Sequence, residues 1–248
     1  MTSLRDRLRK AGQGDAPLLT GPFLAVPSPM VVEIACGAQP DFVCVDMEHG
    51  PISPETGENM VRAAAVHGIP ALVRVPGPDG AAIGQALDWG AAGILVPRID
   101  SARDAARAVD AARYPPEGTR GAGPGRASGY GRRIPQTLEQ AAAETVVALQ
   151  VETVAGVENL AEILRVPGVD LIFIGPGDLG VGLRAAGRDG TLEETMDHVL
   201  AACAAAQMPA GLFVMTRADH AAYAGRLALA IVGSDATLLV AGFDAQFS

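Results

Sequence analysis

Eight short runs rich in β-branched and other apolar residues alternate with helix-like segments along almost the whole chain. Alternation of this kind is typical of a parallel sheet whose strands are joined by helices. The runs cover residues 23–26, 42–46, 71–75, 93–97, 146–151, 170–174, 210–214 and 227–232. Because a closed (β/α)8 barrel has eight strands, the sequence predicts an α/β protein with a TIM barrel fold; a doubly wound open sheet is the alternative.

Length and composition predict one domain without a membrane-spanning segment. The chain has 248 residues, 49% of them hydrophobic, which suits one such barrel, so we expect a single domain over residues 1–248. No apolar run approaches the roughly 20 residues that span a bilayer, and the polar first residues do not resemble a secretory signal. Three cysteines without metal-type spacing favour a soluble protein of the reducing cytoplasm.

The charged residues argue against two classes of function. A net charge of −9 would repel the phosphates of nucleic acids, so no nucleic acid partner is expected. Lys10 is the only lysine, and it lies in the polar N-terminal stretch. Schiff-base catalysis needs a lysine amine that is desolvated in a pocket, so we expect any carbonyl chemistry to use another electrophile.

Local signals divide the chain between the apolar runs. Residues with helix-capping spacing predict helices that begin near positions 53, 101, 191 and 216. Residues 114–135 break the regular spacing, because they are rich in glycine, proline and arginine and too long for a simple connector. The arginines favour contact with an anion or with another subunit, and a flexible, solvated excursion is the alternative.

Polar side chains follow six of the eight runs, at the ends where barrel enzymes carry their catalytic groups. They are Asp46, Glu48 and His49 after the second run, Arg74 at the end of the third, Arg98 after the fourth, Glu152 after the fifth, Asp178 after the sixth and Asp235 after the eighth. In a barrel these ends meet at one rim. The convergence therefore predicts an enzyme.

Glu152 and Asp178 are the candidate metal ligands. They follow neighbouring strands, so a barrel would direct both carboxylates into one space. Two oxygen ligands with open positions suit a hard divalent ion such as Mg²⁺ or Mn²⁺. The alternative is that both residues cap helix N-termini, and spacing alone does not separate the two interpretations.

Three further residues are candidates for catalysis. His49 is a candidate general base because histidine is the side chain that most often transfers protons in enzymes, although a lone histidine is usually structural. Arg74 ends an inner strand and needs an anionic partner, either a substrate oxygen or Asp46 in a structural ion pair. Asp88 lies near the C-terminal end of a predicted helix, where the helix dipole disfavours a negative charge. A cationic or histidine partner is therefore expected for it.

Seven motifs in order form a recognisable set: DFVCVDMEHGP, ALVRVPG, QALDWGAAGILVP, RYPPEGTRG, LQVET, GVDLIFIGPGDL and IVGSDATLL. From about residue 23 to the C-terminus the chain thereby resembles the HpcH/HpaI aldolase family, the bacterial 4-hydroxy-2-oxoheptanedioate aldolases and their relatives. The resemblance implies a (β/α)8 barrel whose C-terminal helix is exchanged between subunits of a homo-oligomer, a trimer or hexamer. It also implies class II aldol chemistry with a divalent ion (Mg²⁺, Mn²⁺ or Co²⁺), a 2-oxo acid such as pyruvate and an aldehyde.

The same resemblance implies how substrate and metal are held. LQVET implies that Glu152 is a metal ligand and that Gln150 approaches the substrate, while GPGD implies that Asp178 is the second ligand. The substrate carboxylate would bind at the start of the following helix, over Gly175, Pro176, Gly177 and Asp178.

The resemblance also implies the proton-transfer groups. DMEH implies that His49 is the base, with Asp88 of LDWG as its orienting partner, in the same chain or from a neighbouring subunit. VRVPG implies that Arg74 holds the keto oxygen and stabilises the enolate. Asp46 and Glu48 would support these groups from behind.

Two departures from the family pattern bear on substrate choice. The loop reads Gly123-Pro124-Gly125-Arg126 without the usual serine, and Arg98 replaces an apolar residue. Hydroxypyruvate is therefore a second candidate donor. The rival functions are a citrate or malyl-CoA lyase, an oxaloacetate decarboxylase and, from another class, a non-catalytic barrel that binds a small anion.

Overall fold

The strands form a closed parallel barrel in chain order, in which each strand pairs with the next and the eighth pairs with the first. The structure is a computed structural model that describes residues 2–247. The strands are β1 (Leu19–Leu24), β2 (Val43–Asp46), β3 (Ala71–Arg74), β4 (Gly93–Val96), β5 (Val146–Val151), β6 (Leu171–Ile174), β7 (Ala210–Val214) and β8 (Leu229–Ser234). The predicted TIM barrel is confirmed, and the doubly wound alternative is wrong.

The first and last strands differ most from the predicted runs. β1 begins at Leu19, ahead of the predicted run at residues 23–26, and includes Gly21 and Pro22. The pairing of β1 with β8 shifts register between Gly21 and Phe23, which accommodates a proline that cannot donate a ladder hydrogen bond. Gly21 is needed because a Cβ there would lie 2.1 Å from the carbonyl oxygen of Phe42.

Helices cover the outside of the barrel and one of its ends. They are α1 (Leu4–Gly12), α2 (Pro29–Gly37), α3 (Pro54–Val66), α4 (Gly80–Asp88), α5 (Ala102–Ala112), α6 (Ile134–Glu144), α7 (Val154–Glu158), α8 (Leu160–Ile163), α9 (Pro176–Ala185), α10 (Leu192–Ala205) and α11 (Asp235–Phe247). No helix among the described residues is both long and apolar enough to cross a membrane.

Three of the four predicted helix starts are confirmed, two of them with the predicted side-chain cap. Ser53 and Ser101 each accept a hydrogen bond from a backbone amide in the first turn of their helices. Thr191 precedes α10, but its hydroxyl donates backwards to Arg188 and caps nothing. The start predicted at Thr216 is wrong, because a 3₁₀ helix (Asp219–Tyr223) is all that links β7 to β8.

The core has two layers, one inside the barrel and one between strands and helices. Leu4 and Leu8 of α1 are buried in the inner layer, where they close the N-terminal end of the barrel. The opposite end carries the polar ends of the strands. Ligand chemistry is thereby directed to the C-terminal rim, as in other barrels of this type.

The arginine-rich segment 114–135 is folded against α4. The Arg120 side chain is buried, pairs with Asp88 at 2.8 Å and stacks on the ring of Tyr114. Arg126 donates to the carbonyl oxygen of Trp89 at the end of α4. These bonds tie the segment down, so the alternative of a flexible, solvated excursion is wrong for its central part.

Asp235 fastens the barrel closure between β8 and β1. Its buried carboxylate accepts the amides of Ala25 and Val26, each at 2.9 Å, and that of Ala236 at 2.8 Å. All three donors belong to the loop after β1 or to the start of α11. Asp235, one of the polar residues at the strand ends, therefore has a structural role.

Replacing Asp235 with Ala should leave the partly buried amides of Ala25 and Val26 without acceptors. Hydrogen bonds to a charged acceptor contribute about 1.5–3 kcal/mol each, so we expect the free energy of unfolding to fall by about 3 kcal/mol. Urea denaturation followed by circular dichroism measures it. Asp244→Ala on the exposed part of α11 is the matched control, and equal effects of the two substitutions would contradict the assignment.

Candidate active site

A cavity of about 330 Å³ opens at the C-terminal ends of the strands. Its walls comprise Phe23, Ala25, Asp46, His49, Arg74, Gln150, Glu152, Phe173, Gly175, Pro176, Gly177, Asp178, Phe213 and Ser234. Except for Asp88, every residue that the sequence analysis placed in the catalytic, substrate or metal groups lines this one space. Glu48, predicted as a supporting residue, lies directly behind it, against Arg74 and His49.

Glu152 is the buried carboxylate at the centre of this cavity. One of its oxygens accepts the backbone amide of Arg98 at 2.9 Å, and the other accepts the side-chain amide of Gln150. Burial raises the pKa of Glu152, although the two hydrogen bonds oppose this effect. The negative charge of Asp178 raises that pKa further, because the two carboxylates face one another across the cavity.

Neither Glu152 nor Asp178 occupies a helix N-cap position, so the N-cap alternative for them is wrong. Thr153 caps α7 through its hydroxyl, and Gly175 occupies the N-cap position of α9. Asp178 lies within the first turn of α9, where the helix dipole favours a negative charge. Its side chain is 60% exposed and points towards His49, with an oxygen 3.9 Å from the histidine Nε2.

Gly175 allows β6 and α9 to approach the Glu152 carboxylate. A Cβ at this position would lie 2.6 Å from a carboxylate oxygen of Glu152 and 2.9 Å from the amide nitrogen of Gln150. No side chain fits this gap. The absence of a side chain at Gly175 therefore lets the start of α9 lie directly against the Glu152 carboxylate.

Arg74 is held by a two-pronged ion pair. Its Nε and Nη2 donate to the two oxygens of Asp46, at 2.8 Å and 2.5 Å, and the guanidinium lies 4.2 Å over the ring of Phe23. Burial alone would lower the pKa of Arg74, but Asp46 raises it, so the guanidinium stays charged. The structural ion pair considered in the sequence analysis exists, and the third nitrogen, Nη1, lies 3.4 Å from Glu48.

Two buried acceptor oxygens in this region have no hydrogen-bond partner, Oε2 of Glu48 and Oε1 of Gln150. Burial raises the pKa of Glu48, and nearby Arg74 opposes the shift. Unpaired buried acceptors are costly, so they mark where a bound donor or cation would be stabilised. The same Glu48 oxygen lies 3.8 Å from Nε2 of His49, whose side chain is 59% exposed.

The donor set fits a hard divalent ion with few protein ligands. Residues 2–247 contain no group of three or more His, Cys, Asp and Glu side chains arranged to hold a metal. Glu152 and Asp178 offer two carboxylates, and each oxygen of Glu152 keeps a free lone pair beside its hydrogen bond. An ion such as Mg²⁺, which retains several waters and takes substrate oxygens, suits this arrangement.

Asp88 does not line the cavity. Its carboxylate pairs with Arg120 on the outer side of the barrel, which confirms the expected cationic partner. Within one chain it therefore has no contact with His49, and a role beside that histidine would need a second subunit. His67 at the end of α3 and His198 on the exposed side of α10 also lie outside the cavity.

Sequence reasoning missed the aromatic residues of the cavity. Phe23, Phe173 and Phe213 lie on β1, β6 and β7 with their rings in contact. In the sequence they read as ordinary core residues. Side-chain alternation along each strand would have placed them inside the barrel, but not their height relative to the cavity.

Comparisons with known proteins agree with one another. The sequence profile of the HpcH/HpaI aldolase/citrate lyase family matches residues 19–241. A "4-hydroxy-2-oxovalerate aldolase" from Novosphingobium aromaticivorans is 37% identical over 82% of this chain and 78% of its own length. A "4-hydroxy-2-oxo-heptane-1,7-dioate aldolase" from Salmonella paratyphi B is 35% identical over 91% of this chain and 87% of its own.

A solved structure extends the similarity to three dimensions. The crystal structure of a HpcH/HpaI aldolase/citrate lyase family protein from Burkholderia cenocepacia superposes with a TM-score of 0.89 at 34% identity. The superposition covers 99% of this chain and 98% of the other.

Gly175→Ala should displace the Glu152 carboxylate, because the new methyl group would overlap it. We expect a loss of about 1–3 kcal/mol, the usual range for overpacking, seen as a lower Tm in thermal denaturation. Gly177→Ala, two residues further along the chain, has no atom within 4 Å of the added Cβ and is the matched control. It should leave the Tm unchanged or slightly higher, and a similar drop in both variants would refute the steric explanation.

Proposed function

Because the chain belongs to the HpcH/HpaI aldolase/citrate lyase family, we propose that it cleaves 4-hydroxy-2-oxo acids reversibly to pyruvate, or hydroxypyruvate, and an aldehyde. Its aldolase relatives make it a carbon–carbon lyase. The observation that carries the proposal is the buried Glu152 carboxylate, which shares one cavity with Asp178 and Arg74. Two carboxylates and a guanidinium in one cavity suit a site that binds a metal cation and an anionic substrate side by side.

Glu152 and Asp178 would hold a divalent ion, Mg²⁺, Mn²⁺ or Co²⁺. The unpaired oxygens of Glu48 and Gln150 would accept hydrogen bonds from water or substrate beside it. When bound, the ion supplies Lewis-acid stabilisation of the negative charge that develops on the 2-oxo group.

The substrate carboxylate and keto oxygen face different parts of the chain. The start of α9, from Gly175 to Asp178, offers backbone amides and the positive end of the helix dipole to a carboxylate. Arg74 directs its remaining N–H groups to the keto oxygen, because Asp46 already holds the other side of the guanidinium. The fixed guanidinium stabilises enolate charge without reorganising during the reaction.

His49 would move the proton. In cleavage it takes the proton of the C4 hydroxyl, the C3–C4 bond breaks, C4 becomes the aldehyde carbon, and C3 regains a proton to form the methyl group of pyruvate. Carboxylate oxygens of Glu48 and Asp178 lie 3.8 Å and 3.9 Å from Nε2 of this histidine. Asp88 of a neighbouring subunit would orient this histidine.

The position of the single lysine supports a route without an imine. Lys10 is exposed on α1, the helix that closes the opposite end of the barrel. A citrate or malyl-CoA lyase remains the closest rival, since the family description includes citrate lyase. The identity of 35–37% to 4-hydroxy-2-oxo acid aldolases favours the aldolase. Oxaloacetate decarboxylation would be a side reaction of the same enolate chemistry.

The C-terminal helix supports a homo-oligomer. Of all its residues only Asp235 is buried, and large apolar side chains along it are exposed, such as Leu238 at 62%, Phe243 at 60% and Phe247 at 81%. An apolar helix of this kind needs a partner surface. We propose that it packs on another copy of the chain in a trimer or hexamer, in the cytoplasm, where three free cysteines stay reduced.

Proton exchange tests the proposed chemistry without knowledge of the aldehyde. In D2O the methyl protons of pyruvate should exchange with Mg²⁺, Mn²⁺ or Co²⁺ present and not after chelation, as followed by NMR. Arg74→Lys loses the two-pronged contact with Asp46 and should slow exchange by about 100-fold. Arg184→Lys, exposed on α9, is the matched control. Metal-independent exchange, or none with any metal, would refute the proposal.

Light scattering coupled to size-exclusion chromatography tests the oligomer. The chain should elute at three or six times its mass of 25.3 kDa. Replacing Leu239 and Phe243 of α11 with Ser should release monomers, because the helix loses its apolar face. Replacing Asp244 and Gln246 with Ser on the same helix should not. A monomeric wild type would contradict the exchanged helix.

A further inference from the structure

We propose that the cavity selects aldehydes with an uncharged, apolar substituent and discriminates against those that carry a carboxylate of their own. The inference rests on the proposed aldolase function and concerns the part of the substrate that leaves as the aldehyde. It follows from how the two halves of the cavity divide polar and apolar groups.

The polar half of the cavity lies on β2, β3, β5 and β6. Asp46 and Arg74 end β2 and β3, and Glu152 and Asp178 follow β5 and β6. The proposed metal, carboxylate and keto-oxygen sites all lie on this side. The aldehyde portion must therefore extend towards the remaining wall, which β7, β8 and β1 provide in the closed barrel.

The remaining wall is mainly aromatic. Phe23 of β1 and Phe213 of β7 form this wall, with ring centroids 5.8 Å apart, and Phe173 of the adjoining strand β6 meets Phe23 edge to face at 6.4 Å. Phe213 is only partly buried, so its ring faces the cavity. Ala25 and the neutral side chain of Ser234 complete this wall. Such a surface favours an alkyl or aryl group by burying apolar area.

Cations for a second carboxylate are lacking on this wall. Among the described lining residues Arg74 is the only guanidinium, and it already pairs with Asp46 and lies 3.4 Å from Glu48. The carboxylates of Asp46, Glu152 and Asp178 face the same space. A second substrate carboxylate would lose water beside Phe213 without gaining a partner.

Within one chain, two other arginines follow barrel strands but do not line the cavity. Arg98 follows β4 and Arg217 follows β7, and both side chains are exposed and absent from the lining. Arg98 uses its backbone amide to hold Glu152, on the polar side. Arg217 follows the strand that carries Phe213, so it is the cation that the test must address.

Two substrates of equal length separate the possibilities. 4-Hydroxy-2-oxoheptanoate and 4-hydroxy-2-oxoheptanedioate differ only in a methyl group or a carboxylate at C7, and each releases pyruvate, which lactate dehydrogenase and NADH report. We expect kcat/KM of the wild type to be at least about tenfold higher for the monocarboxylate. An equal or higher value for the dicarboxylate would overturn the inference. If neither is cleaved and pyruvate protons do not exchange, the proposed function fails as well.

Variants at one position test the cause of the preference. Phe213→Arg adds a cation to the aromatic wall and should shift the ratio of kcat/KM values at least about tenfold towards the dicarboxylate. Phe213→Leu removes the ring without adding charge, and a shift of the same size in this variant would overturn the electrostatic cause. Arg217→Ala should leave the ratio unchanged. A drop confined to the dicarboxylate in Arg217→Ala would show recruitment of the second carboxylate and overturn the inference, even if Phe213→Arg does not fold.

Discussion

Closing the barrel between β8 and β1 is the constraint on which the rest of the structure depends. The two strands pair across a register shift at Pro22, and Asp235 fastens the loop after β1 to the end of β8. Once the ring is closed, the carboxyl ends of all eight strands share one rim. Residues far apart in sequence, such as Asp46 and Asp178, then line a single cavity.

Electrostatic balance at that rim explains why the polar residues are arranged as they are. Burying Arg74 is tolerated because Asp46 matches its charge and its planar geometry. Burying Glu152 is tolerated because the Arg98 amide and Gln150 satisfy one lone pair on each oxygen. The Oε2 oxygen of Glu48 lies 3.4 Å from Nη1 of Arg74 but accepts no hydrogen bond. A buried carboxylate oxygen without a hydrogen bond lowers stability. Its presence therefore fits a site that binds a cation and a polar substrate.

The aromatic wall makes one half of the same cavity apolar. Phe23 contacts Arg74 on one side and the other phenylalanines on the other, so it joins the polar half of the cavity to the apolar half. The proposed reaction needs both halves, since a 2-oxo acid is charged at one end and its aldehyde portion need not be. Substrate choice among related aldolases would then depend on few side chains of β1, β7 and β8.

The sequence by itself determined the barrel and the strand ends that carry polar groups, because these follow from local periodicity and from the identity of single residues. It also identified Glu152, Asp178, His49 and Arg74 as one set. Only the tertiary structure decided that Asp88 pairs with Arg120 outside the cavity, that Asp235 closes the barrel, and that three phenylalanines form a wall. These outcomes depend on which residues of distant strands lie at the same height, and one-dimensional periodicity carries no record of that height.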